Sequence, residues 1–389
     1  MTDHVVVLGA GYAGAGAIKR LEKRLGRDTD LTWVSETDYH LVLHESHRCI
    51  SNPSVQDKIT IPVDDIKSSS TTFIEGEVVD VDEAERTIGL ADGATVPYDY
   101  LLVAMGSQTA FFGIDGLAEY AHTLKSLDDA LGIHDDVANA ARAGTRTDPA
   151  KVVIGGAGLS GVQTAGEVAE YRDHHDQPID ITLVEGLDSV LPNGPAPLQE
   201  KLERRLDDRG VNIITGEFVS GVDEDEVFYG DEASLAYDVL IWTGGITGQE
   251  AASTLDVDKD ERSQRIETEQ TFETSDERIF AIGDCALIEQ PGDDLAPPTA
   301  QAAWQAADVA ADNLVHAIED DSLETWTYND MGTVVSIGED AVAHDTSYMG
   351  ISLPITKGFM ARSLKKGIAA KWINRITGVR RAASAWPDM

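Results

Sequence analysis

Cysteine is nearly absent. The chain of 389 residues has two, Cys49 and Cys285. They lie far apart, in no CxxC or metal-ligand spacing, so a disulfide scaffold and a thiolate metal cluster are excluded and no metal is expected. Basic residues are scarce, 30 Lys and Arg against 69 Asp and Glu, for a formal net charge of -39 and a pI near 4.3. A field of that sign repels nucleic acid. It also costs stability through self-repulsion unless salt screens it, and the Debye length contracts to about 3 Å at 1 M salt. The excess therefore predicts a salt-loaded, halophilic cytoplasm. Long apolar runs are missing as well. None approaches the roughly 20 residues a membrane-crossing helix needs. The N-terminus enters an apolar strand without a basic leader, which predicts no signal peptide. A cytoplasmic protein is expected, with any membrane contact peripheral.

What is present is a repeat. His4-Val5-Val6-Val7-Leu8 runs into Gly9-Ala10-Gly11-Tyr12-Ala13-Gly14 and a helical stretch. Lys151-Val152-Val153-Ile154 runs likewise into Gly156-Ala157-Gly158-Leu159-Ser160-Gly161 and a second helix. In such a loop the first glycine makes the tight turn, the second lets backbone approach a pyrophosphate, and the third permits close helix–strand packing. The helix N-terminus offers free N–H groups and positive dipole to phosphate. Glu36 and Glu185 end the next strands, 22 and 24 residues beyond the third glycine, where an acid accepts hydrogen bonds from a ribose diol. An acid at the second site also repels a 2′-phosphate, which favours NADH over NADPH.

The repeat extends further. Each unit continues through alternating strands with Asp/Gly turns, predicting a small antiparallel meander, and returns to the sheet at Tyr98–Ala104 and at Tyr237–Trp242. Each return strand ends in a glycine break, at Gly106 and Gly244. A third apolar strand ends in Gly283-Asp284, and Asp284 is placed to hydrogen-bond a ribityl hydroxyl. The expected fold is α/β with two Rossmann-like dinucleotide-binding domains. The first spans 1–110 and 247–320, the second 111–246, and a C-terminal α/β extension spans 321–389.

With these motifs the chain resembles the two-dinucleotide-binding-domain flavoproteins, and within them type II NADH dehydrogenase. The stretches that carry the resemblance are Phe112-Gly113-Ile114-Asp115-Gly116 through Leu124-Lys125-Ser126 to Asp129-Ala130, the Ile241-Trp242-Thr243 strand end, and Ala300-Gln301-Ala302-Ala303-Trp304-Gln305. The resemblance implies FAD on the first unit (Gly9, Gly11, Gly14, Glu36, Ala104, Gly106, Gly283, Asp284) and NADH on the inserted second unit (Gly156, Gly158, Gly161, Glu185, Gly244). It implies hydride transfer from NADH to the flavin, then two electrons to a quinone, with menaquinone the expectation and no proton pumping. The alanine–glutamine hexamer matches a pattern associated with the quinone head group. Gln301 and Gln305 lie at i and i+4, so both amides share one helix face. One position departs from the family pattern: Gln163 stands where a Glu is usual, two residues beyond the last glycine of the second loop. Glu167, one turn on, reads as a solvated helix carboxylate.

Rival chemistries need cysteines. The CxxxxC pair of the disulfide reductases and the cysteine pair of the sulfide:quinone oxidoreductases are absent. Coenzyme A disulfide reductases use one cysteine soon after the first ribose acid, and Cys49 lies in that region beside His44, His47 and Arg48. A buried, inert thiol is the expectation there, and a reductase of a disulfide or of a ferredoxin-like protein remains the alternative. Residues 357–389 hold eight Lys and Arg against Asp388 alone. Phe359, Met360, Leu364, Ile368, Trp372 and Ile373 recur there at helical spacing, predicting a basic amphipathic helix lying on an anionic membrane with Trp372 near headgroup level. The competing expectation is a helix packed on the acidic body through ion pairs. A homodimer using part of this surface is also possible on the sequence.

Overall fold

The computed structural model describes residues 3–26, 28–230, 233–292, 294–348 and 351–385. The Lys357 and Phe359 side chains, both counted in the basic tail, lie outside what is described. The first unit starts with β1 (Asp3–Leu8), whose Val5, Val6, Val7 and Leu8 are buried as a continuous apolar run, the pattern of a strand covered on both faces. α1 (Tyr12–Arg24) follows, and β2 (Thr29–Ser35), β3 (Thr71–Glu75) and β4 (Tyr100–Val103) extend the sheet. An antiparallel meander, Val78–Asp82, Thr87–Leu90 and Thr95–Pro97, sits between β3 and β4.

The second unit repeats the plan. α2 (Leu127–Ala143) begins at a capping box in which Ser126 and Asp129 satisfy each other's free N–H groups. Strands β5 (Ala150–Gly155), β6 (Ile179–Glu185), β7 (Val211–Thr215) and β8 (Val239–Trp242) form a parallel sheet in the order β7-β6-β5-β8, with α3 (Leu159–His175) after β5. A second meander, Val219–Val222, Glu226–Tyr229 and Ala233–Ala236, precedes β8. The chain leaves and re-enters the first unit through an antiparallel pair, Gln108–Thr109 with Ile246–Thr247. β9 (Ile279–Ala281) then completes the first sheet in the parallel order β9-β4-β1-β2-β3. α4 (Ala300–Glu319), capped by the Thr299 hydroxyl, packs on α1.

The C-terminal extension is not a separate body. Its antiparallel sheet, β10 (Thr333–Ile337), β11 (Asp340–Tyr348) and β12 (Ile351–Lys357), lies on α3 so closely that a Cβ at Gly166 would stand 2.5 Å from the Ile337 Cα. α5 (Phe359–Thr377) packs both on this sheet and on the first unit. Its buried stripe is Ala361, Lys365, Ala369, Trp372, Ile373 and Ile376, one helical face.

This corrects the expectation for the basic tail. Trp372 is 1% exposed, its ring against Tyr12 (4.9 Å between centroids) and Trp304 (5.8 Å), so it does not stand at headgroup level. The acidic body supplies counter-charges: Arg375 pairs with Asp308 (2.7 Å), Arg362 with Glu339, Arg381 with Asp65, and Lys365 with Glu45 (3.5 Å). Burying an indole of this size gains more than leaving it in an interface, and the apolar stripe is spent on the body. Among the described residues of the tail, Met360 and, on α6 (Val379–Ala385), Val379 are the exposed large apolar side chains. Among the described residues, no helix is long and apolar enough to cross a membrane.

Candidate functional site

Both glycine loops have the geometry of a dinucleotide cradle. Gly9 sits at φ +99° and Gly156 at φ +90°, conformations that L side chains rarely adopt, and each backs onto the strand across the sheet. A Cβ at Gly9 would lie 2.4 Å from the Ala104 carbonyl oxygen, and one at Gly156 would lie 2.8 Å from Gly244. The third glycines, Gly14 and Gly161, would drive a Cβ to 2.0 and 1.8 Å from the carbonyls of Gly9 and Gly156. The second glycines are different: a Cβ at Gly11 or Gly158 would meet nothing within 4 Å. Open space at that position, with protein pressing on the other two, fits a ligand that approaches the second glycine. Gly11 and Gly158 are the N-caps of α1 and α3, no side chain caps either helix, and neither first turn holds an acid. Free N–H groups and unopposed dipole fit a pyrophosphate at both.

At the second loop Glu185 is held in place, its two oxygens accepting from the amides of Ala157 (2.7 Å) and Leu187 (2.9 Å). The carboxylate retains lone pairs for a diol. Gly244 leaves room for the Trp242 ring, 2.6 Å from where its Cβ would be, as well as backing Gly156.

A cavity of about 1590 Å³ opens beside the first loop. Gly9, Gly11, Glu36, Ala104, Gly106, Gly283 and Asp284 all reach it; Gly14 packs behind the loop. Lys125 and Arg265, to which the motifs assigned no role, stand by Asp284. The Arg265 guanidinium is buried, donating to the carbonyls of Asp284 (2.9 Å) and Ala286 (2.6 Å), while Lys125 Nζ donates to Ser107 Oγ (3.0 Å). Burial pushes the Asp284 carboxyl up, against the pull of both cations, and burial pushes the Lys125 ammonium down. A large cavity with a buried acid and a backbone cradle on its wall has the size and the donor groups to hold FAD.

The cavity runs on to the start of α3, so Gln163 lines it together with Leu364, Lys365 and Ile368 of α5. Gln301 lines it too, its oxygen accepting from Met331 N (3.0 Å) and Tyr328 Oη (3.2 Å). Gln305 does not reach it. Its amide is spent on the Asn329 backbone, donating to the carbonyl (2.9 Å) and accepting from the N–H (3.1 Å). An i, i+4 pair shares a face, and the 328–332 loop bonds both amides but leaves only Gln301 at the cavity.

At the α3 end lies a buried polar group on which the motif reading is silent. Lys365 Nζ donates to Ser336 Oγ (2.6 Å) and His47 Nε2 (3.1 Å) and lies 3.5 Å from Glu45 Oε1. The Gln163 amide, its oxygen turned toward these donors, accepts from Lys365 Nζ (3.0 Å) and Ser336 Oγ (3.1 Å) and donates to the Leu159 carbonyl (3.3 Å). Tyr12 Oη meets His44 Nδ1. Burial dominates the titration here. It pushes His44 down to about 4 and His47 well down, so both rings are neutral, and it raises the Tyr12 hydroxyl. The nearby Lys365 cation keeps the Glu45 carboxyl low despite burial. Glu167, expected to be solvated, is buried, accepts from Ser51 Oγ, and is raised by desolvation to about 7.

Neither cysteine is placed for chemistry. Both are buried, and desolvation raises Cys49 to about 12 and Cys285 to about 11. Cys285 Sγ faces the carbonyls of Val103 and Ile282.

Comparison with known proteins agrees with this architecture. A type II NADH:quinone oxidoreductase of Staphylococcus aureus is 27% identical over 96% of both chains. The structure of NDH2 from Plasmodium falciparum in complex with NADH superposes with a TM-score of 0.81 at 17% identity, over 100% of this chain and 98% of that one. The sulfide:quinone oxidoreductase of Aquifex aeolicus does so at 0.79 and 19%, over 97% and 92%. Residues 3–307 match the pyridine nucleotide-disulphide oxidoreductase family, and the chain belongs to it.

Proposed function

We propose that the protein is an FAD-dependent NADH:quinone oxidoreductase working at a membrane surface. The observation that carries this reading is one cavity shared by the first dinucleotide cradle, the N-terminal turn of the NADH helix at Gln163, and a cysteine-free wall with a neutral amide and apolar side chains. In that reading residues 1–110 and 247–320 hold FAD and 111–246 hold NADH, while 321–389 close the cavity. Gly9, Gly11 and the start of α1 hold the FAD pyrophosphate, Glu36 its ribose, and Ala104, Gly106, Gly283 and Asp284 the flavin side. Gly156, Gly158, Gly161 and Glu185 hold NADH. Bound FAD supplies the hydride-accepting and electron-donating chemistry. The protein's part is to place both nucleotides and the acceptor, to keep water out through Leu364, Ile368 and Trp372, and to move protons. Gln301 offers an amide to a quinone carbonyl, and Gln305 holds the 328–332 loop against it.

The inert cysteines speak against a disulfide acceptor, since the thiolate is the reactive species and burial suppresses it at both. Docking on an anionic membrane through 357–389 rests on exposed Met360 and Val379 with Arg380 beside them. The acidic excess fits a halophilic cytoplasm, with the protein at the inner face of the membrane.

The test is Glu185→Ala in the FAD-loaded protein. Its NADH requirement should rise at least about tenfold, the loss of one or more diol hydrogen bonds, with bound flavin retained. Unchanged NADH dependence would refute the second site. Met360→Glu with Val379→Glu should abolish sedimentation with anionic vesicles, and undiminished pelleting would refute that docking surface.

A further inference from the structure

Reduction of a quinone by NADH takes two electrons and two protons: NADH + H⁺ + quinone gives NAD⁺ + quinol. The hydride accounts for both electrons and one proton. The other proton must come from the protein or water at the acceptor. This inference rests on the proposed function and asks which side chain supplies it.

The wall around Gln163 offers few groups that hold a transferable proton at neutral pH. Tyr12 is held protonated by burial and by the Glu45 charge. His40, His44 and His47 are neutral imidazoles, because burial has already driven off the second proton. Glu45 is ionised and has none to give. Glu167 sits behind α3 on Ser51 and is not part of the cavity wall. Lys365 is in the wall and buried, and it carries three N–H bonds directed to Ser336, His47 and Gln163. These three partners are neutral, so the ammonium keeps its mobility as an acid, and Glu45 at 3.5 Å is the counter-charge that tolerates it in the interior. Arg48, at 3.5 Å from the other Glu45 oxygen, shares that carboxylate and weakens its hold on Lys365.

We propose that Lys365 is the proton donor for acceptor reduction. One N–H bond of its ammonium breaks as a quinone oxygen takes the proton, leaving a neutral amine hydrogen-bonded to Ser336. The amine recovers a proton from water when quinol leaves and the cavity rehydrates. Glu45 is the positioning residue that keeps Lys365 charged in the resting protein. Desolvation lowers the Lys365 ammonium from its ordinary value, the direction a general acid needs. The groups that face it and set its titration are Glu45, Glu167, Arg48, His44 and His47.

The experiment compares two acceptors on the full FAD-loaded chain in molar KCl. Ferricyanide takes electrons without protons; a short-chain benzoquinone takes both. Lys365→Arg keeps the charge, but a guanidinium does not release a proton. Lys365→Met removes both charge and proton. After reduction by NADH, both variants should be reoxidised by the quinone about 100-fold more slowly, while reoxidation by ferricyanide in Lys365→Arg stays within about twofold of wild type. The wild-type quinone rate should fall as pH rises through the Lys365 titration, and the Lys365→Arg rate should be flat there.

A Lys365→Arg protein that reduces quinone at the wild-type rate would overturn the proposal, because charge alone would then suffice. Parallel loss with both acceptors would overturn it as well, since a merely structural role predicts that. Should Lys365→Met fail to fold, with Glu45 left to Arg48 alone, wild type in heavy water decides. A quinone step slowed at least about twofold with ferricyanide unaffected supports the donor, and equal rates overturn it. Wild type that ferricyanide but no quinone reoxidises would remove the acceptor assignment itself.

Discussion

Replacing Glu167 by Gln should make the protein more stable at alkaline pH and leave it unchanged at acid pH. Glu167 is 3% exposed, with Ser51 Oγ donating to it. Burial raises its carboxyl from the ordinary 4.5 to about 7, the partial compensation by Ser51, Arg48 and Lys365 notwithstanding. Because the folded value lies above the unfolded one, the native state binds more protons than the unfolded state between about pH 4.5 and 7. Stability therefore falls as pH rises through that window and stays reduced above it. A difference of about 2.5 in pKa is worth about 3 kcal/mol at about 1.4 kcal/mol each. Glutamine mimics the protonated acid and can accept the same Ser51 hydrogen bond. The variant should thus gain about 2–3 kcal/mol over wild type between pH 5 and pH 8. Urea unfolding of both proteins in molar KCl across that range measures it, and the large titration of the acidic surface cancels in the difference. A variant no more stable at pH 8 than at pH 5, relative to wild type, would refute the reasoning.

Further outcomes follow from the packing. Gly11→Ala should leave the apoprotein's melting unchanged and weaken FAD binding about tenfold or more, because its Cβ enters space that only a ligand needs. Gly14→Ala should instead destabilise the apoprotein by at least about 2 kcal/mol, since its Cβ strikes the Gly9 carbonyl; calorimetry and fluorescence titration with FAD separate the two. Trp372→Ala should cost about 3–5 kcal/mol and loosen FAD, because the indole N–H donates to His40 (2.9 Å), which in turn bonds the Ala10 carbonyl of the loop (2.7 Å). The same variant should sediment with vesicles as wild type does, and a loss of binding there would return Trp372 to the lipid. Cys49→Ala and Cys285→Ala should turn over as wild type does, and a dead variant would reopen the thiol chemistries.

The repeated loops were legible because their logic is local. Three glycines, a helix start and an acid at fixed spacing lie within about 30 residues, and the backbone physics of each position is independent of the rest of the chain. Asp284 is picked out by its place in the same series, whereas Gln163 and Gln301 come from the family resemblance; the structure puts all three on the cavity wall. Where reading failed, the cause was distant packing. Lys365 reads as one more cation of a basic helix, and only the seating of α5 against residues 44–48 and Ser336 turns it inward. Trp372 has the pattern of an interfacial anchor, and a helix cannot show from its own sequence whether lipid or protein covers its apolar stripe. Glu167 reads as exposed on α3 until the 48–51 turn, more than 110 residues earlier, packs against that helix and supplies Ser51. Gln305 shares its face with Gln301 as helical geometry requires, but a loop with no periodic signal decides which amide meets the cavity.

The most direct test of the central claim is double-mixing stopped flow on the FAD-loaded protein in molar KCl. NADH is mixed first, then a menaquinone analogue, with flavin absorbance followed throughout. The account predicts fast bleaching by NADH and fast recovery on the quinone, with Gln163 in place. Bleaching that a quinone does not reverse, or no bleaching at all, would contradict it.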